Sequence, residues 1–496
     1  MKFNLRLPVL SCAEAAAVEN AFIGKNSGLG WTLMQRAARA IAKESVDFLG
    51  RKPSSILALV GSGKNGADAL LAALLAAGRS TRITVVFSDQ APTAGLPLKA
   101  WLKVKKKVHV VAADKLSQLY KERFCLIFDG ILGQGFHPPL EVRLARFISN
   151  CEKLDGLRIA VDLPSGLGDG CAGPAFRADL TVSIGCLKRP LLAPSAQKFV
   201  GRIRVADIGL PLAETAEACS THLALAPLQK PRAAQTEKRR QGRVLIIGGS
   251  EAMPGAVIMN TAATLQSGAG LTTTALPKSI QAKASVAYPE AMWHGLSTDK
   301  HGALSTKNLR AIGALFKNKD ALLIGSGMGP HSVKFISAVV SKFTADLIID
   351  ADALRPEIIK AARHAAIRVL LPHAGEFKRL TGKKLSVAAG EAYARKTKSV
   401  VVLKGAMTCI TDGTHSWHIP FGGPILARGG SGDLLAGIAT SVLARRQTLG
   451  LRALEAVELA VVWHAQAADS LKGKQGEEAV RTTQLLSGLS LALRRR

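Results

Sequence analysis

A glycine-rich turn near the C-terminus, Ala427 to Gly432, leads directly into one carboxylate, Asp433, and an apolar stretch that predicts a helix. Glycines let a phosphate approach the backbone closely, and the free N–H groups and dipole of a helix start attract its negative charge. A carboxylate in that first turn can take the proton of a hydroxyl that is being phosphorylated. The turn therefore indicates phosphoryl transfer, although the same residues also suit a simple N-terminal cap.

Two more polar segments of the C-terminal half follow apolar, β-branched runs. Residues 372–376 come directly after Ile367–Leu371, and residues 404–408 come directly after Val400–Leu403. Such runs predict buried parallel strands. Because open α/β sheets bind ligands at the carboxyl ends of their strands, we expect the three loops to form one site.

The N-terminal half carries a second glycine turn between a strand and a helix. A short apolar run, Leu57–Val60, leads into residues 61–68, and residues 69–78 are predicted to be helical. A strand, a glycine turn and a helix start in succession make a suitable cradle for the phosphates of a dinucleotide.

Two aspartates, Asp129 and Asp162, stand at the ends of apolar runs in the same half. Either residue alone is compatible with a simple turn or cap. Together with Asn65 and Ser165 they offer an oxygen-rich set without histidine or cysteine, which favours an alkali or alkaline-earth cation over zinc.

The C-terminal motifs, in this order, resemble the ribokinase-like superfamily and, within it, the ADP- or ATP-dependent NAD(P)H-hydrate dehydratases. Residues 248–256, 267–272 and the glycine loop 324–330 also match that pattern. The resemblance implies Asp433 as the catalytic base and Mg²⁺ arriving with ADP or ATP. It implies nucleotide contacts from Lys404, Gly405, Ala406, Met407, Thr408 and Gly432, and a hydrate pocket lined by Ala256, Gly327, Gly329, His373 and Asp433. For His373, hydrogen bonding within its own loop is the alternative.

The N-terminal motifs resemble the NAD(P)H-hydrate epimerase domain. The resemblance implies a catalytic, substrate-contacting Asp162 and a potassium ion held by Asn65, Asp129 and Ser165. It implies that the dinucleotide is held by Lys64, Asn65, Gly66, Ala67, Asp68, Gly133, Gln134, Gly135, Phe136, His137, Pro138 and Pro139.

The cradle departs from the family pattern at several positions. Lys64 stands where the family has Asn, and Ala67 and Ala69 stand where it has Gly, while Gln35 and Ala38 replace a Glu and a Gly. Where a replaced glycine is needed for positive φ or a close phosphate approach, each methyl group costs about 1 kcal/mol or more. Lys64 is a candidate to meet a phosphate as a point charge.

Length and pattern indicate two folded domains. The chain has 496 residues, of which 48% are apolar, and a single domain of this size is unusual. We predict domains at 1–225 and 241–496, joined by a linker at 226–240. Apolar runs alternate with helical stretches in both, which predicts an α/β protein with an N-terminal Rossmann-like three-layer sandwich. The resemblance makes the C-terminal domain a ribokinase-like α/β fold.

The formal net charge of +30 raises the question of a nucleic-acid partner. The excess is spread over both halves and only 5% of residues are aromatic, so we expect no nucleic acid and a positive field that draws anionic substrates. The seven scattered cysteines are expected to be reduced. We expect no membrane span, no signal peptide, a cytoplasmic location and a homo-oligomer.

The whole chain resembles the bifunctional enzymes that repair hydrated NADH and NADPH, abbreviated NADHX and NADPHX. The resemblance implies these hydrates and ADP as substrates. Two alternatives stay open, a ribokinase-like kinase of a vitamin-precursor alcohol and a dehydratase with a non-catalytic N-terminal module. The sequence does not distinguish ADP from ATP, or the NADH hydrate from the NADPH hydrate.

Overall fold

The computed structural model describes residues 6–24, 28–170, 173–224 and 235–494. The chain divides into two compact units, Leu7–Cys219 and a second unit that comprises Ser220–Arg496 and also includes Arg6. The predicted linker at 226–240 begins shortly after this division, and its residues 226–234 lie outside the described part of the chain. The domain bounds given above stay a prediction.

The N-terminal unit is built around a parallel sheet. Its strands are β1 (Arg6–Leu10), β2 (Ser55–Val60), β3 (Arg82–Phe87), β4 (His109–Val111), β5 (Arg123–Gly130), β6 (Asp155–Val161), β7 (Leu180–Ile184), β8 (Leu187–Lys188) and β9 (Arg202–Ala206). Its helices are α1 (Cys12–Ile23), α2 (Leu29–Leu49), α3 (Lys64–Ala76), α4 (Gly95–Val104), α5 (Val142–Cys151), α6 (Gln197–Val200) and α7 (Ala213–Ala218).

The order of this seven-stranded sheet is β4-β3-β2-β5-β6-β7-β9. β1 and β8 are not part of it and pair in parallel with each other. Side chains alternate between its two faces along each strand. Ile56, Ala58 and Val60 face a core shared with α2, α3 and α4, whereas Leu57 and Leu59 face a second core that includes α5. The predicted three-layer sandwich is confirmed.

The C-terminal unit repeats this plan on a longer sheet. Its strands are β10 (Thr221–Ala224), β11 (Arg243–Ile247), β12 (Leu271–Pro277), β13 (Met292–Leu296), β14 (Ala321–Ile324), β15 (Asp346–Ile349), β16 (Arg368–Leu370), β17 (Val400–Leu403), β18 (Thr408–Thr411) and β19 (Ser416–Ile419). Its helices are α8 (Pro254–Gln266), α9 (Lys278–Ala287), α10 (Leu309–Leu315), α11 (Val333–Val340), α12 (Pro356–Ala361), α13 (Ala374–Thr381), α14 (Val387–Thr397), α15 (Ser431–Ala444), α16 (Arg446–Leu449), α17 (Ala453–Gln475) and α18 (Leu485–Arg494).

Within this unit the order is β13-β12-β11-β14-β15-β16-β17-β18-β19-β10. Pairing is parallel from β13 to β17 and antiparallel in the β17-β18-β19 segment. Val244 and Ile246 face a core with α8, α15 and α17, and Leu245 and Ile247 face another with α11 and α12. The unit is therefore also a sheet between two helical layers, and the α/β prediction holds for both units.

Two features outside the sheets complete the comparison with the sequence. Among the described residues, no helix combines the length and apolar character needed to cross a bilayer. The cysteines in that part of the chain are all free, and Cys171 lies outside it.

Candidate functional site

The start of α15 positions Asp433 in the C-terminal unit. The N-cap residue, Gly430, has a φ of 86°, a left-handed conformation that favours glycine. Asn260 of α8 donates a hydrogen bond from Nδ2 to the Asp433 carbonyl at 2.8 Å, which fixes the first turn against its neighbour. The helix start predicted from the sequence therefore exists, with Asp433 in its first turn.

Close packing of α8 against α15 depends on another glycine. A β-carbon added at Gly437 would lie 2.3 Å from the Asn260 carbonyl oxygen. The Thr264 hydroxyl donates to the Gly437 carbonyl at 3.1 Å. Gly437 therefore allows α8 and α15 to pack closely beside the turn that leads into Asp433.

Lys404 brings a cation to the same turn. A β-carbon added at Gly432 would lie 3.5 Å from Lys404 Nζ, so the ammonium stands beside the start of α15. Lys404 Nζ donates to Asp350 Oδ1 at 2.9 Å and lies 3.7 Å from Glu376 Oε2. Burial opposes its charge, but these two carboxylates outweigh burial and raise the pKa of Lys404. The site thus contains an ammonium that stays charged although it is largely buried.

The pKa of the Asp433 carboxyl group is shifted toward neutral pH. Burial, followed by the nearby carboxylate of Asp350, raises the pKa of Asp433 to about 6. The Ser326 hydroxyl and the Lys404 ammonium act in the opposite direction. A carboxylate with a pKa near the working pH is ionised yet still basic enough to accept a proton in a transition state.

The glycine loop after β14 closes another side of this site. A β-carbon added at Gly325 would lie 2.0 Å from the Asp350 carbonyl oxygen, and one at Gly327 would lie 2.9 Å from Cβ of Ala256. The Gly329 N–H donates to Asp352 Oδ2 at 2.8 Å. The structure therefore brings Ala256 and Gly327 together and ties Gly329 to an acidic loop after β15.

His373 caps α13. Its Nδ1 accepts hydrogen bonds from the N–H groups of Gly375 at 3.0 Å and Glu376 at 3.4 Å, and 59% of its side chain is exposed. The alternative of a loop hydrogen bond is thus realised at Nδ1. The Nε2 edge lies 3.4 Å from Glu376 Oε1, and the substrate-binding role of His373 stays a prediction.

The remaining predicted nucleotide contacts lie on one connection. Residues 404–407 link β17 to β18, with Gly405 and Ala406 exposed and Thr408 at the start of β18. The Lys404 N–H donates to the Pro372 carbonyl at 2.9 Å, so this connection runs beside the His373 loop. Both loops lie at the carboxyl ends of neighbouring strands, as predicted.

Sequence reasoning missed three carboxylates of this site, namely Asp350, Asp352 and Glu376. Asp350 directly follows β15, and Ala351 has a φ of 50°, which is unusual for alanine. The signal was available, because strand-end aspartates were singled out in the N-terminal half but not after the apolar run that ends at Ile349. Glu376 belongs to the polar segment 372–376, but no role was predicted for its side chain.

In the N-terminal unit, Asp129 and Ser165 form a closed pair. The Ser165 hydroxyl donates to Asp129 Oδ1 at 2.5 Å, and the Ser165 N–H donates to Asp129 Oδ2 at 2.8 Å. Asn65 joins them through a third residue, because its Nδ2 donates to the Leu132 carbonyl at 2.7 Å while the Leu132 N–H donates to the Ser165 hydroxyl at 2.8 Å. The structure therefore brings the three predicted cation ligands together.

Asp129 has no counter-charge among the described residues. Its side chain is fully buried, and burial raises its pKa to about 6 against the hydrogen bonds from Ser165 and Ile131. A buried carboxylate without an ammonium or guanidinium partner favours a bound cation.

Asp162 follows β6 in a left-handed conformation with a φ of 68°. Its Oδ1 accepts hydrogen bonds from Lys188 Nζ at 2.5 Å and from the Ile184 N–H at 2.9 Å. Lys188 lies in β8 with only 2% of its side chain exposed, and it also donates to the Ile184 carbonyl. Lys188 could not be recognised from the sequence, since a buried lysine in a short strand stands out only once its partner is known.

The glycine turn predicted as a phosphate cradle leads into α3, which begins at Lys64 with Gly63 as the N-cap. No atom lies within 4 Å of a β-carbon added at Gly63, which leaves room for a ligand, whereas one at Gly66 would lie 2.2 Å from the Gly61 carbonyl oxygen. Lys64 Nζ lies 3.2 Å from Glu19 Oε1, and Gln134 Nε2 donates to Glu19 Oε2 at 2.8 Å. Glu19 of α1 is therefore joined to the start of α3 by Lys64 and to the 133–139 segment by Gln134.

The two alanines that replace family glycines cause no strain in the backbone. Ala67 and Ala69 lie within α3, neither has a positive φ, and both are buried. A β-carbon added at Gly130 would lie 2.5 Å from Cβ of Ala69, so Gly130 provides the space that the Ala69 methyl group occupies. These methyl groups therefore pack in the core. The backbone strain that was expected from replacing the two glycines does not occur.

This complementarity predicts the effect of Gly130→Ala. The new methyl group overlaps Ala69 and the Asn65 carbonyl oxygen, which lies 2.8 Å from the same position, so we expect a loss of about 1–3 kcal/mol in unfolding free energy. Denaturant unfolding measures the loss, with Gly63→Ala as the matched control that meets no atom. Equal stability of the two variants would contradict this account of the packing.

Known proteins resemble both halves of the chain. The family described as NAD(P)H-hydrate dehydratase matches residues 244–490, and the family described as YjeF-related protein N-terminus matches residues 31–190. A bifunctional NAD(P)H-hydrate repair enzyme Nnr from Thermofilum pendens is 31% identical, covering 93% of this chain and 91% of its own. An enzyme of the same name from Thermosynechococcus vestitus is 30% identical, covering 98% and 97%. Among solved structures, a ribokinase-like superfamily protein from Enterococcus faecalis V583 is 27% identical, with a TM-score of 0.47, over 53% of this chain and 91% of that chain.

Proposed function

This chain belongs to the family of bifunctional NAD(P)H-hydrate repair enzymes, and from that membership we propose how its residues divide the repair between two sites. The protein repairs damaged nicotinamide cofactors. Its C-terminal half dehydrates the 6S hydrate of NADH or NADPH with consumption of a nucleotide, and its N-terminal half interconverts the 6R and 6S hydrates. The substrates are accordingly NADHX, NADPHX and an adenine nucleotide, for which we propose ADP.

The dehydration step solves a leaving-group problem. The hydrate carries a hydroxyl at C6, and hydroxide leaves poorly because it is a strong base. Asp433 takes the proton of this hydroxyl while the hydroxyl oxygen attacks the terminal phosphorus of the nucleotide. The bond from this phosphorus to the rest of the nucleotide breaks, and the shortened nucleotide departs. Phosphate then leaves C6 and a proton leaves C5, which restores the double bond of the dihydronicotinamide.

The observation that carries this proposal is the position of Asp433 at the start of α15 beside Lys404. The N–H groups of Gly430, Gly432 and Asp433 and the ammonium of Lys404 would stabilise the negative charge that develops on the transferring phosphoryl group, whereas the Ser431 N–H already donates to the Arg428 carbonyl at 3.2 Å. Lys404 to Thr408 and Gly432 would contact the nucleotide, while Ala256, Gly327, Gly329 and His373 would line the hydrate pocket. Mg²⁺ would arrive on the nucleotide phosphates.

Product stoichiometry tests the C-terminal assignment. The purified 6S hydrate is incubated with the protein, Mg²⁺ and either ADP or ATP, and NADH, inorganic phosphate and the shortened nucleotide are counted. Equimolar formation of all three is the expected result. A stable phosphorylated product without inorganic phosphate would instead support the vitamin-precursor kinase alternative.

For the N-terminal half we propose an epimerase site. Potassium fits Asn65, Asp129 and Ser165, because Asp129 is a fully buried carboxylate without a cationic partner among the described residues. A bound potassium ion would supply positive charge next to the substrate's pyrophosphate. Lys64 to Asp68 and Gly133 to Pro139 would hold the dinucleotide, and Asp162 would contact the reacting ring.

Removal of potassium provides a test of this site. We expect replacement of K⁺ by tetramethylammonium to slow conversion of the purified 6R hydrate by about 10–100-fold, the usual effect of disturbing a metal site. Dehydration of the purified 6S hydrate serves as the internal control. Epimerisation at the uncatalysed rate in both salts would support a non-catalytic N-terminal module. The cytoplasmic location and the homo-oligomeric state remain predictions.

A further inference from the structure

A buried carboxyl group, Asp68, lies in the same electrostatic environment as Asp162 and Lys188 but is not paired with either. Asp68 is in the second turn of α3 and is only 8% exposed, and its Oδ1 is buried without a hydrogen-bond partner among the described residues. Leaving a polar atom unpaired in this way costs about 1–3 kcal/mol. Such a cost at the edge of a predicted site indicates that the group is kept for function.

Asp162 is held in place by two donors. Both of its hydrogen bonds within the described chain reach Oδ1, one from the Lys188 ammonium at 2.5 Å and one from the Ile184 N–H at 2.9 Å. Oδ2 is thereby left for a substrate, and a carboxylate in this position can accept a proton.

The surroundings of Asp68 favour its protonated form. Burial, then the carboxylates of Asp162 and Glu19, raise the pKa of Asp68 well above its usual value, and the ammonium groups of Lys64 and Lys188 do not cancel this effect. Glu19 is occupied by Lys64 and Gln134. The Cys12 thiol, which interacts electrostatically with Asp162 and Lys188, is unsuited to proton transfer because burial, followed by Asp169, raises its pKa to about 12.

We propose that Asp68 is the proton donor of the epimerase reaction, acting opposite Asp162 as the proton acceptor. The proposal rests on the epimerase function proposed above. It gives Asp68 a role beyond holding the dinucleotide. A buried carboxyl group whose Oδ1 has no hydrogen-bond partner and a carboxylate in an ion pair with a buried lysine have different environments, which suit the two opposite roles in a proton transfer.

The substrate chemistry needs such a pair. C6 of the hydrate carries a hydroxyl and is bonded to ring nitrogen N1, so its configuration can invert through ring opening. Asp162 takes the hydroxyl proton, the O–H electron pair forms an aldehyde, the C6–N1 bond breaks, and N1 takes its proton from Asp68. Rotation about the C5–C6 bond and the reverse steps close the ring on the other face and return both protons.

Steady-state kinetics on the purified 6R hydrate test the proposal, with the dehydratase activity of the same molecule as a measure of intact protein. The variants are Asp68→Asn, Asp162→Asn and the control Glu122→Gln, whose carboxylate pairs with the exposed Arg82. We expect Asp68→Asn to lower the kcat of epimerisation at least about 100-fold with KM within about threefold, because asparagine fills the same space but cannot donate an acidic proton. Asp68→Asn should keep its unfolding temperature, whereas Asp162→Asn, which leaves Lys188 without a counter-charge, should lower it.

The pH profile separates an acid from a merely structural residue. With Asp68 as the donor, the rate of the unmodified protein falls as rising pH deprotonates Asp68, and this alkaline limb is absent from the residual activity of Asp68→Asn. The charged groups that bear on Asp68 are Glu19 of α1, Lys64 of its own helix, Asp162 and Lys188. If Asp68→Asn does not fold, the pH profile of epimerisation by the unmodified protein tests the proposal by itself. An epimerisation rate that stays constant toward alkaline pH would overturn the proposal.

Two further outcomes would overturn it and are distinguishable from each other. An Asp68→Asn variant that retains more than about a third of the wild-type kcat would remove Asp68 from the mechanism while the epimerase function stands. An unmodified protein that converts the 6R hydrate only at the uncatalysed rate would refute the epimerase function and this role together.

Discussion

Asp433→Asn is expected to lower the turnover of hydrate dehydration at least about 100-fold while nucleotide affinity stays within about threefold. Asparagine keeps the size of the side chain and the start of α15 but cannot accept the hydroxyl proton. The Asn260 bond to the carbonyl of residue 433 uses the backbone and is unaffected. Steady-state kinetics and nucleotide titration measure the two effects separately.

The pH dependence of the unmodified protein belongs to the same prediction. Because the pKa of Asp433 is raised to about 6, dehydration should slow as the pH falls below about 6 and the base becomes protonated. The folded state binds this proton more tightly than the unfolded state does, so ionised Asp433 weakens the fold above that pH, at a cost of roughly 1–3 kcal/mol. Asp433→Asn should therefore be at least as stable as the unmodified protein at pH 7.

A control outside the site is available at Asp412, which caps its own hairpin by accepting from the N–H groups of Thr414 and His415. Asp412→Asn should leave turnover unchanged. The assignment of Asp433 as the base is wrong if Asp433→Asn turns over at the wild-type rate, or if both aspartate variants lose activity equally.

Lys404→Met is expected to reduce the stability of the C-terminal unit by about 3–5 kcal/mol and to abolish tight nucleotide binding. The ammonium is 19% exposed and neutralises Asp350, whose side chain is 2% exposed, together with Glu376. Its removal leaves two carboxylates without their cation and raises the negative potential where the nucleotide phosphates bind. Denaturant unfolding and nucleotide titration measure the two losses.

Two companion variants make this prediction specific. Lys378→Met removes an exposed lysine from α13 and should cost less than about 0.5 kcal/mol. Adding Asp350→Asn to Lys404→Met should restore part of the stability but not nucleotide binding, because it removes one orphaned charge without replacing the ammonium. A loss below about 1 kcal/mol for Lys404→Met would show that the pair behaves like an exposed ion pair.

Much of the fold follows from local sequence. The predicted strands are apolar and β-branched, and each is found, because a strand buried on both faces needs a continuous apolar run. β12 was missed because Leu271–Pro277 contains three consecutive threonines, which interrupt an apolar run although threonine favours strands. Trp417 and His418 lie in β19, which pairs with β18 in a short antiparallel hairpin.

Parts of the sites depend on contacts distant in sequence and could not be predicted. Lys188 is 26 residues from Asp162, and Lys404 is 54 residues from Asp350. Neither pairing leaves a periodic signal in the chain. The packing of the Ala69 methyl group likewise depends on Gly130, which is distant in sequence. The motif alone predicted an energetic cost for alanine at this position, but the tertiary structure provides the space for it.

The central claim is that one chain recovers both hydrates, and the most direct test is the absorbance of reduced nicotinamide after the protein is added to a mixture of the two NADH-hydrate epimers with Mg²⁺ and K⁺. With ADP or ATP present, we predict recovery that continues beyond the 6S fraction faster than spontaneous epimerisation allows, and no recovery without nucleotide. Recovery that stops at the 6S fraction would restrict the protein to dehydration, and no recovery with either nucleotide would contradict the account.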